Sequence, residues 1–145
     1  MSKRADVRIR LARPDEREAL EALQWRASLA NENDRPQLEA HPDAIHLPAA
    51  QIANEDVLVA EIDGGVAGFA AVVGGELDGL FVEPELWRNG VGAALVDAAA
   101  HEARRRGLTL TVTANPHALD FYKRCGFTVE GQAQTRFGPA PRMTR

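Results

Sequence analysis

Val7, Ile9 and Leu11 alternate with Asp6, Arg8 and Arg10, the period of a half-buried opening strand. Pro14-Asp15-Glu16 marks a helix start, and Ala19, Leu20, Leu23 and Ala27 then recur at helical spacing. A first helix is therefore predicted to about Leu29, where the polar run Asn31-Glu32-Asn33-Asp34-Arg35-Pro36 breaks it. Residues 31–54, interrupted by Pro36, Pro42 and Pro48, are expected to be partly irregular, with a second helix around Ala44 to Asn54.

Strands follow. Val57 to Ile62 and Val66 to Val73 flank Asp63-Gly64-Gly65 as a hairpin, and Gly74-Gly75 leads into a third antiparallel run, Glu76 to Val82, closed by Glu83-Pro84. Gly79 lies inside that third run, where a glycine marks a bulge or a close backbone approach. After Asn89-Gly90, Val91, Ala94, Leu95 and Ala98 form one apolar helical stripe, which ends at Arg104-Arg105-Arg106 with Gly107 as the C-cap. Leu108, Leu110 and Val112 alternate with Thr109, Thr111 and Thr113 as a fifth strand. Asn115-Pro116 opens a short helix that stops at Gly126, and Phe127-Thr128-Val129 begins a sixth strand. The tail from Gln132 to Arg145, rich in Gly and Pro, is expected to add one edge strand.

At 145 residues and 45% apolar content, the chain suits a single domain over 1–145 with a sizeable core. A formal charge of −4 gives no global attraction for nucleic acid or an anionic membrane, and neither is expected as a partner. No run resembles a signal peptide or a membrane span, so a cytoplasmic location is expected. Cys125 stands alone and His41, His46, His101 and His117 are scattered, so no disulfide and no metal site is expected. A homodimer is left open.

Two motifs carry chemistry. Trp87-Arg88-Asn89-Gly90-Val91-Gly92-Ala93 sits between a strand and a helix, where glycines let backbone N–H groups converge and the helix dipole adds attraction for phosphate. It is neither a Walker loop nor a dinucleotide fingerprint, since no Gly-Lys-Ser/Thr follows and Leu95 stands where the third glycine belongs. A pyrophosphate dock and an ordinary Gly-rich turn both fit it. In the second motif, Asn115 through Phe127, Asn115 can cap a helix and Tyr122 returns to the same face two turns on, with Ala118 between. A groove lining and a plain cap with a packed ring both fit that one.

Taken in order, these residues resemble the GNAT superfamily of acyl-CoA-dependent N-acyltransferases. The likeness rests on Val82-Glu83-Pro84, Gly90-Val91-Gly92-Ala93, a Thr-rich strand, Asn115 through Ala118 to Phe121-Tyr122, and Gly126-Phe127. The motif-bearing part runs from Glu76 to Thr128. One departure is visible, because Trp87 stands where the family's phosphate loop commonly begins with Arg or Gln. The resemblance implies a mixed α/β fold whose mostly antiparallel sheet of six or seven strands splays between the fourth and fifth and is flanked by about four helices. It implies acetyl-CoA as cosubstrate and an amine as acceptor. Phe81 and Val82 would offer main-chain groups to the pantetheine arm, with the Val82 N–H polarising the thioester carbonyl. Arg88, Asn89, Gly90, Val91, Gly92 and Ala93 would hold the pyrophosphate. Asn115, Ala118 and Phe121 would contact the arm, Arg124 or Lys123 would reach the phosphates, and Tyr122 would donate a proton to the departing sulfur.

An alkyl amine with a pKa of about 10.4 is mostly protonated at neutral pH, so direct attack on the thioester needs a base. Glu76 and Asp78 are the candidates, placed on one strand face by a period of two, with Glu61 a weaker third. Cys125 at a helix end beside Phe127 suits a structural thiol better than a covalent acyl carrier. Trp25, Arg26, Glu32 and Asp34 are candidates for the acceptor groove, built from residues 25–54 and the tail over 132–142. Carboxylates there favour a cationic amine, whereas Arg26 and Arg35 favour an amine that bears a carboxylate. A non-catalytic acyl-CoA sensor is the alternative function, and Tyr122 argues against it.

Overall fold

Val57 to Ala60 and Ala67 to Val72 are buried without alternation, the signature of strands covered on both faces. They form the middle of the sheet in the computed structural model, which describes residues 6–31 and 34–145. The strands are β1 (Arg8–Leu11), β2 (Val57–Ile62), β3 (Gly65–Val73), β4 (Glu76–Val82), β5 (Thr111–Thr113), β6 (Thr128–Thr135) and β7 (Gly138–Thr144). They lie in the order β1-β2-β3-β4-β5-β7-β6. Every pairing is antiparallel except that of β4 with β5, which is parallel and has one registered pair, Glu76 with Thr111. Beyond that pair the two strands part, and the splay is the feature on which the site is built.

Helix α4 (Val91–Arg105) covers one face, where Leu95, Val96 and Ala99 pack on Ala70, Leu77 and Val112. Helix α1 (Arg17–Leu29) and the short α3 (Ala49–Ala53) cover the other, where Leu20, Leu23 and Ile52 meet Val57, Phe69 and Ala71. A bulge marks β4, since Ala71 pairs with Gly79 and Val72 with Leu77, which leaves Asp78 as the extra residue. The bulge shifts the strand's phase, so Leu77, Leu80 and Val82 all pack on the α4 side. Gly79 has a separate reason to lack a side chain, because a Cβ there would stand 2.7 Å from the ring of Phe81.

Several expectations need correction. Strand β7 does not lie at the edge. Thr111, Val112 and Thr113 pair with Thr144, Met143 and Arg142, so the tail enters between β5 and β6 and leaves β6 outermost. Pro141 is tolerated because its carbonyl still accepts from the Ala114 N–H (2.8 Å) and only the return bond is lost, while Pro139 lies past the last β5 pairing. The fifth strand is shorter than expected. Leu108 is exposed and its N–H closes α4 on the Ala103 carbonyl, while Leu110 is buried and accepts from the Arg145 N–H. The buried stripe of α4 is Val91, Leu95, Val96, Ala99, Ala100 and Ala103, with Ala94 and Ala98 at its margin. Within 31–54 the described residues hold α2 (Arg35–Ala40) and α3, each about a turn or two long.

One ion cluster ties β1, β2 and the start of α1. Arg10 donates to Glu16 in a bidentate pair (2.8 and 2.7 Å), its Nε meets Glu61, and the Arg13 N–H reaches Glu16 at 2.8 Å. The Arg10 hydrogen bonds, helped by that N–H, overcome burial and hold the Glu16 carboxyl down at about 2. A folded-state value below the ordinary 4.5 means the stabilisation is complete above pH ~4.5 and is lost as pH falls toward 2. Glu16→Gln should cost roughly 2 kcal/mol in urea unfolding at pH 6, and the difference from wild type should shrink steadily between pH 4.5 and pH 2.5.

Candidate active site

The exposed edge of β4 can be read from its hydrogen bonds. Glu83 N–H donates to the Ala67 carbonyl (2.9 Å), so Glu83 and Ala67 form a bonded pair, and the parity of an antiparallel ladder fixes the rest. The pairs Val82 with Gly68 and Leu80 with Ala70 are the non-bonded ones, and their N–H and C=O groups point away from β3 into the splay. Phe81 therefore cannot serve as expected, since its main-chain groups are turned toward Phe69. Its side chain lies on the α1 side, 5.3 Å from the Phe69 ring. Leu80 and Val82 are the residues whose main-chain groups face the splay. The resemblance points to Phe81 and not to Leu80, and which groups face outward depends on a ladder bond that no sequence motif encodes.

The chain leaves this edge through a short turn, Pro84–Leu86, and reaches α4 by way of Arg88 and Gly90, both left-handed at φ 68° and 83°. Gly90 takes that conformation without the clash a Cβ brings, and it delivers the free N–H groups of Val91, Gly92 and Ala93 at the start of a 15-residue helix. No side chain caps this end among the described residues. Arg88 and Asn89 are exposed beside it. Gly92 is bare for packing too, because a Cβ there would meet Phe121 at 3.0 Å. A cavity of about 500 Å³ opens from Ala93 past Phe121, Arg124 and Cys125 to Arg145, whose guanidinium pairs with Asp97 at 2.9 Å.

Asn115 and Tyr122 do not share a continuous α-helix. Asn115 caps a 3-10 turn, Pro116–Ala118, by accepting from the His117 N–H (2.9 Å), and α5 (Leu119–Arg124) follows. Asn115 is exposed and its Nδ2 donates to Asp34 at 2.6 Å, with His117 Nε2 3.9 Å from the same carboxylate. Ala118 and Phe121 are half-buried against the core. Tyr122 is 7% exposed, edge-on to Phe121 and Phe127, and burial pushes its phenol well above the ordinary 10, with a smaller contribution from Cys125. Burial, then the nearby Asp97, likewise raises the Cys125 thiol, the opposite of what a nucleophilic cysteine needs.

Glu76 and Asp78 have different surroundings. Glu76 is held by Arg142 (2.6 Å) and by the Thr111 hydroxyl (2.7 Å), and Arg142 above all keeps it ionised below the usual carboxylate range. Arg142 also donates to Thr111 and Thr113, so the cluster clips β4 to β7 across β5 where the splay begins. Nothing in the sequence pointed to Arg142. Asp78 is exposed and, among the described residues, receives a side-chain hydrogen bond from Gln51 of α3 at 3.1 Å. Among the acceptor candidates, Trp25 is half-buried on α1, Arg26 forms a bidentate pair with Glu83 (3.0 and 3.1 Å), and Asp34 joins Asn115. Glu32 lies outside the described residues.

Residues 17–127, which include the β4 edge, the start of α4 and α5, fit the model of the "Acetyltransferase (GNAT) family". The chain belongs to the GNAT acetyltransferases. It is similar to the "Peptidyl-lysine N-acetyltransferase YjaB" proteins of Salmonella typhimurium and Escherichia coli. The first is 35% identical over 135 residues, 88% of each chain, and the second 33% over 131 residues, 88% of this chain and 86% of the relative. The solution structure of apo-form YjaB from Escherichia coli superposes with a TM-score of 0.72 at 27% identity, covering 96% of this chain and 97% of that one. A Thermoplasma acidophilum PaiA N-acetyltransferase solved with coenzyme A shares the fold, with a TM-score of 0.67 at 20% identity, covering 97% of this chain and 99% of that one.

As a GNAT enzyme the chain is an N-acetyltransferase that uses acetyl-CoA. The residues present fit that ligand. Outward N–H and C=O groups on an unpaired strand edge suit the amides of a pantetheine arm, and free N–H groups at a helix start suit a pyrophosphate. Among the described residues no cluster of three or more His, Cys, Asp or Glu is placed to hold a metal, and no helix is long and apolar enough to cross a membrane.

Proposed function

We propose that this GNAT domain, spanning 1–145, transfers the acetyl group of acetyl-CoA to the ε-amine of a lysine in a peptide or protein. The observation that carries the reading is the pair of relatives named peptidyl-lysine N-acetyltransferase, at 35% and 33% identity over 88% of this chain. Acetyl-CoA supplies the activated acyl group. Leu80 and Val82 present N–H groups to the acyl oxygen and the arm, and the first turn of α4 binds the pyrophosphate. Asp78, the freer of the two carboxylates, takes the amine proton through water, whereas Glu76 serves as the structural partner of Arg142. The neutral amine nitrogen bonds to the carbonyl carbon, the carbon–sulfur bond breaks with its electron pair on sulfur, the remaining ammonium proton on nitrogen passes to water, and the Tyr122 hydroxyl donates a hydrogen bond to the leaving thiolate.

A panel of lysine-containing peptides, free polyamines, aminoglycosides and amino acids, assayed by thiol release, tests the acceptor. The expected result is turnover with lysine peptides well above that with any free amine. Preference for a free amine overturns the peptide reading, and CoA binding without turnover on any amine supports the sensor. CoA affinity should also fall with ionic strength while that of pantetheine barely changes, because the phosphates carry the ligand's charge. Equal salt dependence for the two ligands contradicts the phosphate assignment.

A further inference from the structure

Trp87, which departs from the family's usual Arg or Gln, folds back onto the strand it has just left. Its indole Nε1 donates to the Val82 carbonyl at 2.8 Å. That carbonyl is one of the outward groups of the β4 edge, with no strand among the described residues beside it to supply a donor. An indole is a donor only, the same role an amide N–H plays along a strand edge. The ring is 44% exposed, so it is held by this hydrogen bond and the turn Pro84–Leu86 and is not buried in the core. We propose that Trp87 is a cofactor-gating residue: its indole N–H occupies the Val82 carbonyl and gives it up when the pantetheine arm pairs with the β4 edge. The gate rests on the assignment of that edge to pantetheine. It gives the departure at position 87 a use, since the side chain that forgoes a phosphate contact controls the strand edge next to it.

The chain has two tryptophans, so Trp25→Phe leaves Trp87 as the sole emitter. In that background, CoA should produce a saturable change in tryptophan emission with the midpoint found by calorimetry. Pantetheine should reproduce the change, and adenosine 3′,5′-bisphosphate alone should not. Trp87→Phe keeps an aromatic ring without the N–H, so the arm no longer competes with an internal donor and CoA should bind roughly twofold to tenfold tighter. Melting curves of both variants check that the fold is retained. CoA heat with unmoved emission overturns the gate, because the carbonyl then accepts both donors at once. Emission that follows the nucleotide and not pantetheine overturns it in favour of stacking on the ring. Weaker CoA binding by Trp87→Phe overturns it in favour of a direct contact. If CoA gives no heat at all with the parent protein, the edge assignment fails and the gate with it, a result distinct from the other three.

Discussion

Gly92→Glu is expected to weaken acetyl-CoA binding by roughly 10²-fold or more, since a like charge set against an anion costs several kcal/mol and each 1.4 kcal/mol is tenfold. The carboxylate would stand in the first turn of α4, among the N–H groups that Gly90 delivers at φ 83°. Packing complicates the test, because any side chain at 92 meets the Phe121 ring near 3.0 Å and lies 3.9 Å from Val82 Cγ2. Gly92→Ala separates the two effects. It pushes on the same ring end but adds no charge, and a ring edge can shift by a few tenths of an ångström, so less than tenfold loss is expected. Calorimetric titration of both variants, with melting curves as the folding control, decides. Equal losses in the two would move the effect from the anion site to the wall formed by Phe121.

Tyr122→Phe is expected to lower kcat by roughly 10²-fold while leaving CoA affinity nearly unchanged. The ring centroids of Phe121 and Phe127 lie 5.2 and 5.3 Å away in edge-on contacts that phenylalanine reproduces, so only the hydroxyl is removed. Burial raises the phenol's pKa, which keeps it protonated and able to donate across the whole working pH range. It also makes the phenolate costly, and a thiolate whose conjugate acid has a pKa of about 8.5 takes that proton uphill. The hydroxyl thus acts chiefly through a hydrogen bond that strengthens as charge gathers on sulfur. Wild-type turnover in the variant, measured where chemistry is slower than product release, would falsify the assignment. A high-pH limb in the kcat profile near pH 10 would also contradict it, because the folded phenol should not yet titrate there.

The parts of the fold that the sequence made legible are those carried by local signals. The β2–β3–β4 succession follows from apolar runs and Gly-bearing turns, and α4 from an apolar helical period closed by Gly107. The bulge near Gly79 was foreseen as a local irregularity, yet its effect on orientation was not. Only the bond from the Glu83 N–H to the Ala67 carbonyl, with the parity of the ladder, shows that the main-chain groups of Leu80, and not those of Phe81, face the splay. The tail resisted for a different reason. Its prolines argue for an edge, and no local pattern reveals that they fall where the β5 pairing runs out, with Pro141 only accepting from Ala114. Side-chain partners far apart in the chain were the least accessible. Arg142 with Glu76, and Asp34 with Asn115, join positions 66 and 81 residues apart, so two residues first read as a base and an acceptor contact turn out to be held by internal bonds.

Acetyl transfer from acetyl-CoA to a peptide lysine without a covalent enzyme intermediate is tested by a single-turnover reaction of excess enzyme with acetyl-CoA and a lysine peptide. Free CoA thiol and acetylated peptide are followed together by mass spectrometry, for wild type and Cys125→Ser. Direct transfer gives thiol and acetyl-peptide in equal amounts, at the same rate in both proteins, with no acetylated enzyme at any time. Thiol release without acetyl-peptide, or an acetyl-enzyme that forms first and disappears with Cys125→Ser, would contradict it.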